Sequence, residues 1–218
     1  MSRGLFVVAM VLLLGILGWL LAPRFGVEAP SAAHRSLALA EPPRGGDFRL
    51  QSAAGTVDLR DLRGQVVLIY FGYTACPDIC PTNLAFIASA LKSLTVPELE
   101  RVRVLFVSVD PPRDSLARLA EYAGYFHPRI LGLTGSPAEV AAVARLYGAA
   151  YRRAEASDSA LGYTVDHSAN TYVIDRNGQL ARTLDHATPP ERIAAVIREL
   201  LAGTGPATDA PRPTVLNR

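Results

Sequence analysis

Two cysteines separated by three residues are the side chains of this chain best suited to chemistry. Cys76 and Cys80 are the only cysteines in the 218-residue sequence, and they stand in the segment CPDICP. Thiolates attack disulfides and bind soft metal ions. At positions i and i+4 of a helix the pair would lie about 6 Å apart, within reach of a disulfide. A structural disulfide, a redox couple and a metal site are therefore the three uses open to the pair.

The surrounding sequence places the cysteines at the edge of a sheet. Residues 66–71, VVLIYF, form an unbroken apolar run that is typical of a parallel strand buried on both faces. Ligands of open α/β sheets bind beyond the carboxyl ends of such strands. Pro81 suits the first position of the following helix, whose dipole favours thiolate over thiol, so we expect both cysteines to be reactive. A structural disulfide closing about five residues would add only roughly 2 kcal/mol, which argues against that use.

The remaining pattern alternates strands and helices. A second apolar strand covers residues 102–109, and an amphipathic helix over 83–94 joins the two strands as a βαβ unit. Further elements are predicted as helices over 114–125 and 137–147, a hairpin of strands 171–175 and 179–184, a helix over 188–201 opened by a capping box, and an early hairpin over 48–50 and 56–59. This order predicts an α/β protein with a thioredoxin-like fold, in which helices flank a central mixed sheet.

Four segments follow from the distribution of apolar residues and prolines. Leu5 to Ala22 is 18 residues without a charge, about 27 Å as a helix, and predicts a transmembrane anchor over 1–23. Residues 24–45 predict a flexible tether, residues 46–202 one compact domain and residues 203–218 a disordered tail. The best small-residue cleavage motif, at 38–40, lies far beyond the apolar stretch. We therefore favour a retained anchor over a cleaved signal peptide.

The charge balance excludes one class of function. Lys and Arg together number 22 against 20 Asp and Glu, a net charge of +2, and no basic run occurs. Nucleic-acid binding requires a concentrated cationic surface. We therefore expect no nucleic-acid partner.

Several motifs in order carry a resemblance to a known family. They are LRGQVVLIYFGY over 62–73, CPDICPTNL over 76–84, FVSVDPPRD over 106–114, LTGSPAEV over 133–140 and DHS over 166–168. With these motifs the chain resembles the Sco/SenC family over nearly the whole predicted domain. Members of that family are membrane-tethered, thioredoxin-like copper proteins that face away from the cytoplasm.

The resemblance implies a function and a ligand set. It implies that Cys76, Cys80 and His167 bind one copper ion, as Cu(I) or Cu(II), and that the protein assists assembly of the binuclear copper site of cytochrome c oxidase. The implied partners are an upstream copper donor and the copper-site subunit of the oxidase or another cuproprotein. The implied location is a single-pass membrane protein with its domain in the periplasm or on an equivalent noncytoplasmic side.

The residue types agree with copper independently. Soft thiolates select Cu(I), and an added imidazole gives a site that also holds Cu(II). Zinc stays open on ligand type, because two cysteines and one histidine with a free position also suit a tetrahedral zinc ion.

Four histidines compete for the third ligand position. His34 lies in the predicted tether and His127 in a loop between helices, so we interpret both as solvated. His186 is the serious competitor, because an aspartate precedes it as one precedes His167. In a thioredoxin-like fold, the strand after His167 lies beside the strand that precedes the cysteines, about 4.8 Å away. The strand before His186 is the next strand in the sheet, roughly 10 Å from the strand that precedes the cysteines. We therefore predict His167 as the ligand.

Three aspartates near the predicted site have more than one interpretation. Asp166 either orients the His167 ring by accepting a hydrogen bond or caps a turn. Asp110 follows the second central strand and could place a negative charge near the metal. We favour instead that Asp110 and Asp114 belong to the turn and cap between strand and helix.

A thiol-disulfide oxidoreductase on the same scaffold is the main alternative, with Cys76 and Cys80 as its redox-active thiols. Thioredoxins carry CxxC and a facing cis-proline, whereas here the spacer has three residues and no proline occurs between Pro137 and Pro189. Peroxiredoxins need Thr or Ser three residues before the attacking cysteine, where Tyr73 stands. A narrow reductase role survives, because target cysteines must be reduced before a metal enters them.

Overall fold

The computed structural model describes residues 10, 12–13, 36–155 and 162–203. Among these residues, no helix combines the length and the apolar character that crossing a bilayer requires. The predicted anchor over 1–23 lies outside the described residues except for positions 10, 12 and 13, and the predicted tail lies outside them except for position 203. Both segments therefore stay predictions.

The described domain contains nine strands and five α-helices. The strands are β1 (Arg49–Ser52), β2 (Gly55–Asp58), β3 (Val66–Gly72), β4 (Val102–Ser108), β5 (Ile130–Leu133), β6 (Tyr151–Glu155), β7 (Tyr163–His167), β8 (Thr171–Ile174) and β9 (Leu180–Leu184). The helices are α1 (Ile79–Lys92), α2 (Val96–Glu100), α3 (Leu116–Phe126), α4 (Pro137–Leu146) and α5 (Pro190–Ala202), and a 3-10 turn spans Leu59–Leu62. The early hairpin is β1 and β2, as predicted.

The central sheet has the strand order β5-β4-β3-β8-β9. Strands β3, β4 and β5 are parallel, whereas β8 and β9 are antiparallel to their neighbours. All seven residues of β3 are buried, as its unbroken apolar sequence predicts for a strand covered on both faces. The mixed sheet with its helices confirms the predicted α/β fold class. The position of β8 beside β3 confirms the strand order used to select His167.

Helix α1 connects β3 to β4 and confirms the βαβ unit. It begins at Ile79, so that Cys80 is its second residue and Pro81 its third rather than its first. Its buried residues include the predicted series at spacings of three and four: Leu84, Ile87 and Leu91. The helix therefore starts earlier than predicted, and one of the two cysteines lies inside its first turn.

A capping box forms at the start of α4 but not at the start of α5, where the sequence predicts one. Ser136 and Glu139 form a capping box at the start of α4, in which each side chain accepts the backbone N–H of the other residue. The capping box predicted at Thr188 is wrong, because Pro189 directly precedes α5 and no side chain caps that helix. The Thr188 hydroxyl instead donates to the carbonyl of Asp185 at 2.8 Å.

A small antiparallel sheet of β6 and β7 is not predicted by the sequence. The pairing brings Tyr151 opposite His167, which is the last residue of β7. Arg152 and Arg153 follow one another in β6, and this pair interrupts the alternation that marks a half-buried strand. The hairpin matters because it, rather than the central sheet, carries His167.

The last residues of the predicted tether bond to the domain. The N–H of Leu37 donates to the carbonyl of His167 at 3.0 Å, and that of Ala40 donates to the carbonyl of Gly148 at 2.8 Å. A Cβ at Gly148 would come within 2.0 Å of the carbonyl oxygen of Glu41, so the close approach requires glycine there. Residues 36–45 differ in this respect from the flexible tether predicted for them.

Candidate metal centre

The two cysteines lie in and just after the loop that follows β3, with Cys76 inside the loop. The N–H of Cys76 donates to the carbonyl of Tyr73 at 3.3 Å, which turns the chain away from the strand. Cys80 lies in the first turn of α1. Cys76 is 5 % exposed, Cys80 is 0 % exposed and His167 is 1 % exposed. The three side chains are therefore removed from bulk water, with Cys76 the most accessible.

The three predicted ligands come together in the structure. One ligand atom from each of Cys76, Cys80 and His167 lies within 4.8 Å of the other two. Cys80 Sγ is 3.3 Å from His167 Nε2, and the N–H of Cys80 donates to Cys76 Sγ at 3.4 Å. Within the described ranges, no other group of three His, Cys, Asp or Glu side chains has this spacing.

The two thiols differ in acidity. Hydrogen bonding to the Cys80 side chain is the main effect that lowers the pKa of Cys76 to about 4, against the opposing effect of burial. A hydrogen bond to His167 and N–H groups of the loop lower this pKa further. Burial raises the pKa of Cys80 well above that of a free thiol, and the adjacent Cys76 adds to the effect. The prediction that both thiols are activated therefore fails for Cys80, because complete burial outweighs the helix terminus.

A backbone carbonyl fixes the orientation of the His167 ring. Nδ1 lies 2.9 Å from the carbonyl oxygen of Ser168. Because a carbonyl only accepts, Nδ1 donates to it, which leaves Nε2 as the ring nitrogen that faces Cys80. Asp166 does not supply this bond, since its carboxylate pairs with Arg152 at 3.1 Å and adjacent strand residues face opposite ways. The interpretation of Asp166 as the acceptor for the ring is wrong.

The other histidines take no part in the cluster. His186 is exposed in the turn after β9, one strand further from β3 than β8 is, as predicted. His127 differs from the predicted solvated residue, because it is 8 % exposed and its Nδ1 accepts the N–H of Arg129 at 3.1 Å. His34 lies outside the described residues.

Aromatic rings and one glycine form the walls of the site. The rings of Tyr70 and Tyr73 lie 6.2 Å and 6.0 Å from the His167 ring, each edge to face. A Cβ at Gly72 would come within 2.6 Å of Cys80 Sγ. Gly72 therefore provides the space that the buried thiol fills.

Asp110 and Asp114 are buried beside the site, each 1 % exposed. Neither caps α3, because the Ser115 side chain accepts the N–H of Arg118 and fills that role. The cap part of the interpretation is therefore wrong, whereas the turn part is confirmed, because the N–H groups of Arg113 and Asp114 both donate to the carbonyl of Asp110. A signal for the burial of Asp110 is present in FVSVDPPRD, where this aspartate comes two residues after the end of the mostly buried strand β4.

Comparison with known proteins gives the family. A family model described as SCO1/SenC matches residues 38–202. The chain belongs to the SCO1/SenC family. The mitochondrial SCO2 homolog of Bos taurus is 40% identical over 191 residues, which cover 86% of this chain and 71% of that relative. A SCO2-like protein of Rickettsia felis is 36% identical over 155 residues, which cover 71% of this chain and 75% of the relative.

Solved Sco structures share the fold of this SCO1/SenC protein. ScoI of Bradyrhizobium japonicum with copper bound is 37% identical, has a TM-score of 0.66, and is matched over 72% of this chain and 99% of its own. Yeast Sco1 with copper bound is 32% identical, has a TM-score of 0.64, and is matched over 78% and 92% of the two chains. Copper is therefore a ligand of proteins closely similar to this one.

Proposed function

We propose that this protein is a copper chaperone that holds one copper ion on Cys76, Cys80 and His167 and delivers it to a cuproprotein. The observation that carries the proposal is the convergence of two sulfurs and one imidazole nitrogen within 4.8 Å in a buried pocket. Copper is the cargo of the protein rather than a resident cofactor. Family membership supports the proposal, because relatives with the same fold were solved with copper bound.

The donor set fits copper better than the hard cations. No carboxylate belongs to the cluster of sulfur and nitrogen donors. Thiolates prefer Cu(I), and an imidazole adds the nitrogen that Cu(II) favours. The space at Gly72 lets Cys80 approach the strand closely, so that its sulfur reaches His167 Nε2.

Copper enters and leaves through Cys76. This residue has the most exposed side chain of the three, and its lowered pKa makes it a thiolate at neutral pH. Cys80 gives up its proton when copper binds, since a metal ion stabilises the coordinated thiolate. A target thiolate then replaces the protein's ligands one at a time through a shared intermediate. The family resemblance points to the copper-site subunit of cytochrome c oxidase as the target, with an upstream donor that supplies the ion.

The experiment that tests this function is a titration of the reduced full-length chain with Cu(I), Cu(II) and Zn(II), followed by metal analysis. We expect one copper ion per chain, and loss of tight binding in Cys76→Ser and Cys80→Ser. His167→Ala should weaken Cu(II) more than Cu(I), because two thiolates hold Cu(I) by themselves. The control is His186→Ala, which should bind copper as the unmodified protein does. Preferential binding of zinc, or loss of Cu(II) in His186→Ala alone, would contradict the proposal.

The predicted location is also part of the proposal. A membrane anchor over 1–23 would hold the domain on the noncytoplasmic side, the location that the family resemblance implies. We expect the mature protein to sediment with membranes, to resist carbonate extraction and to be digested only by protease on the noncytoplasmic side. An amino terminus mapped to Glu41 would instead show a cleaved signal peptide.

A thiol-disulfide reductase is the second candidate, and the acidity of Cys76 favours it. The Cys76 thiolate would attack a target disulfide and form a mixed disulfide, which releases one target thiolate. Cys80 would then lose its proton, attack Cys76 and release the second, so that the target gains two electrons and Cys76–Cys80 becomes a disulfide. The test is reduction of a disulfide-bonded peptide from the target by the reduced protein. Reduction that Cys80→Ser arrests at a mixed disulfide would support this second activity.

A further inference from the structure

The turn between β4 and α3 bonds to the loop that carries the cysteines. The carboxylate of Asp114 accepts the N–H of Thr74 at 3.1 Å and its hydroxyl at 2.6 Å. It also accepts the hydroxyl of Ser108, the last residue of β4, at 2.6 Å. Thr74 stands two residues before Cys76. The carboxylate therefore fixes the start of the cysteine loop against the central sheet.

The same turn bonds to the hairpin that carries His167. The hydroxyl of Tyr163 donates to Asp110 Oδ1 at 2.7 Å. Arg113 is ion-paired with Asp110, donates to the carbonyl of Tyr163 at 2.9 Å, and places its guanidinium 3.6 Å from the centre of the Tyr163 ring. Arg153, on the other strand of the hairpin, lies 3.9 Å from Asp110. Tyr163 and His167 are the first and last residues of β7.

The two attachments belong to one buried turn. The N–H of Asp114 donates to the carbonyl of Asp110 at 3.1 Å, and both side chains are 1 % exposed. The hydroxyl of Tyr73 adds a third link, because it accepts the N–H of Val165 from β7 at 3.3 Å. A short turn thus holds the cysteine loop on one side and the histidine hairpin on the other.

We propose that Asp110 and Asp114 are positioning residues, which set the distance between the thiols and the imidazole by bonding the cysteine loop and the β6–β7 hairpin to one turn. Neither carboxylate is a ligand in this proposal. It rests on the proposed function, since the distance matters for copper only if the three side chains bind it. Thiolates hold Cu(I) without the imidazole, so a displaced hairpin affects Cu(II) first.

The test compares Tyr163→Phe with the unmodified full-length chain. This variant removes the hydroxyl that donates to Asp110 and keeps the ring that Arg113 covers. We expect the affinity for Cu(II) to fall about tenfold, as for the loss of one hydrogen bond to a charged group, and the affinity for Cu(I) by no more than about threefold. The thiolate-to-Cu(II) absorption and the Cu(II) electron paramagnetic resonance spectrum should also shift. Asp110→Asn should act in the same direction and more strongly.

The control is Arg152→Ala, which breaks an ion pair with Asp166 across the same hairpin at 3.1 Å and leaves the turn intact. It should leave the Cu(II) affinity and spectrum unchanged. Unchanged Cu(II) affinity and spectrum in Tyr163→Phe would overturn the proposal. Equal losses for Cu(I) and Cu(II), with a matching fall in melting temperature, would also overturn it, because they indicate general destabilisation.

A second measurement separates this proposal from the proposed function. Nuclear Overhauser effects between the His167 ring and the Cys80 side chain report their distance in the protein without copper. Tyr163→Phe should weaken these effects, and Arg152→Ala should not. If the unmodified chain binds no copper, the function fails, and this measurement still decides whether the turn positions the hairpin.

Discussion

Among single residues, Gly72 matters to the site as much as the three polar side chains do. A methyl group at this position would lie 2.6 Å from Cys80 Sγ and 2.8 Å from the Phe106 ring. Both neighbours are completely buried, so neither can move aside without displacing the core. The approach of Cys80 to His167 therefore depends on the absence of a side chain on the strand.

We expect Gly72→Ala to lower the free energy of unfolding by about 1 to 3 kcal/mol, the usual cost of overpacking a core, and to weaken copper binding. The matched control is Gly124→Ala, because no atom lies within 4 Å of a Cβ at that exposed position of α3. Alanine there should stabilise the helix by about 0.5 to 1 kcal/mol. Urea denaturation measures both changes, and a Gly72 variant as stable as the control would contradict the argument.

The acidity of Cys76 predicts a pH dependence of stability. Its pKa is about 4 in the folded protein and about 8.5 in an unfolded chain. The thiolate therefore stabilises the fold fully at pH values above about 8.5, and this stabilisation is lost as the pH falls to about 4. Between these values we expect the stability of the reduced protein to fall with acidification, and to fall less in Cys76→Ser. Urea denaturation over a pH series measures the difference. Parallel curves for the two proteins would show that Cys76 is not a thiolate in the fold.

The strand order and the family resemblance together predict the cluster of Cys76, Cys80 and His167, but not its electrostatics. The sequence places both thiols at a helix terminus, which favours thiolate for each. It does not show that Cys80 is completely buried, and burial reverses the shift of its pKa. For Asp110 the sequence shows a turn, whereas its contact with Tyr163 depends on a hairpin that the sequence does not predict.

Among the elements, those whose sequence has one dominant hydrophobic pattern are predicted, and the β6–β7 hairpin is not. Strand β3 is an unbroken apolar run, and helix α1 has apolar residues at regular spacing, so each is marked by its own sequence. Strands β6 and β7 are marked weakly, because they carry charged residues and are stabilised mainly by each other and by contacts to distant residues. The position of His167 in the cluster is thus predicted from the neighbouring strand β8 rather than from the strand to which His167 belongs.

The first turns of α4 and α5 allow a matched test, because a side chain caps α4 and none caps α5. Ser136→Ala removes a side chain that accepts a backbone N–H of α4, so it should lower the free energy of unfolding by about 1 kcal/mol. Thr188→Ala should cost clearly less, because the Thr188 side chain does not cap α5. Thermal or urea denaturation gives both values. Equal losses would mean that the Thr188 hydroxyl stabilises its turn as strongly as a cap does.

For the whole molecule, binding of copper to the native site must raise stability by linkage. At free copper one hundred times the dissociation constant the gain is about 2.7 kcal/mol, or roughly 5 to 10 °C in melting temperature for a domain of this size. Reduced protein should show this shift in calorimetry, and protein with a Cys76–Cys80 disulfide should not, since a disulfide offers no thiolate. An equal shift in the oxidised protein would show that the cysteines are not the ligands.

The three side chains of the cluster belong to two different sheets, and we expect these sheets to open at different rates. The cysteines are attached to β3 and α1 at the centre of the five-stranded sheet, and His167 ends a two-stranded sheet of its own. This sheet has two strands and is attached to the domain by bonds such as that from Tyr163 to Asp110, so we expect its amide protons to exchange with solvent faster than those of β3 at the centre of five strands. The imidazole would then detach while both sulfurs stay in place. Release of the copper ion proposed for this site would then follow an order in time, with the nitrogen first and the sulfurs last, and a vacant coordination position would appear before the ion leaves.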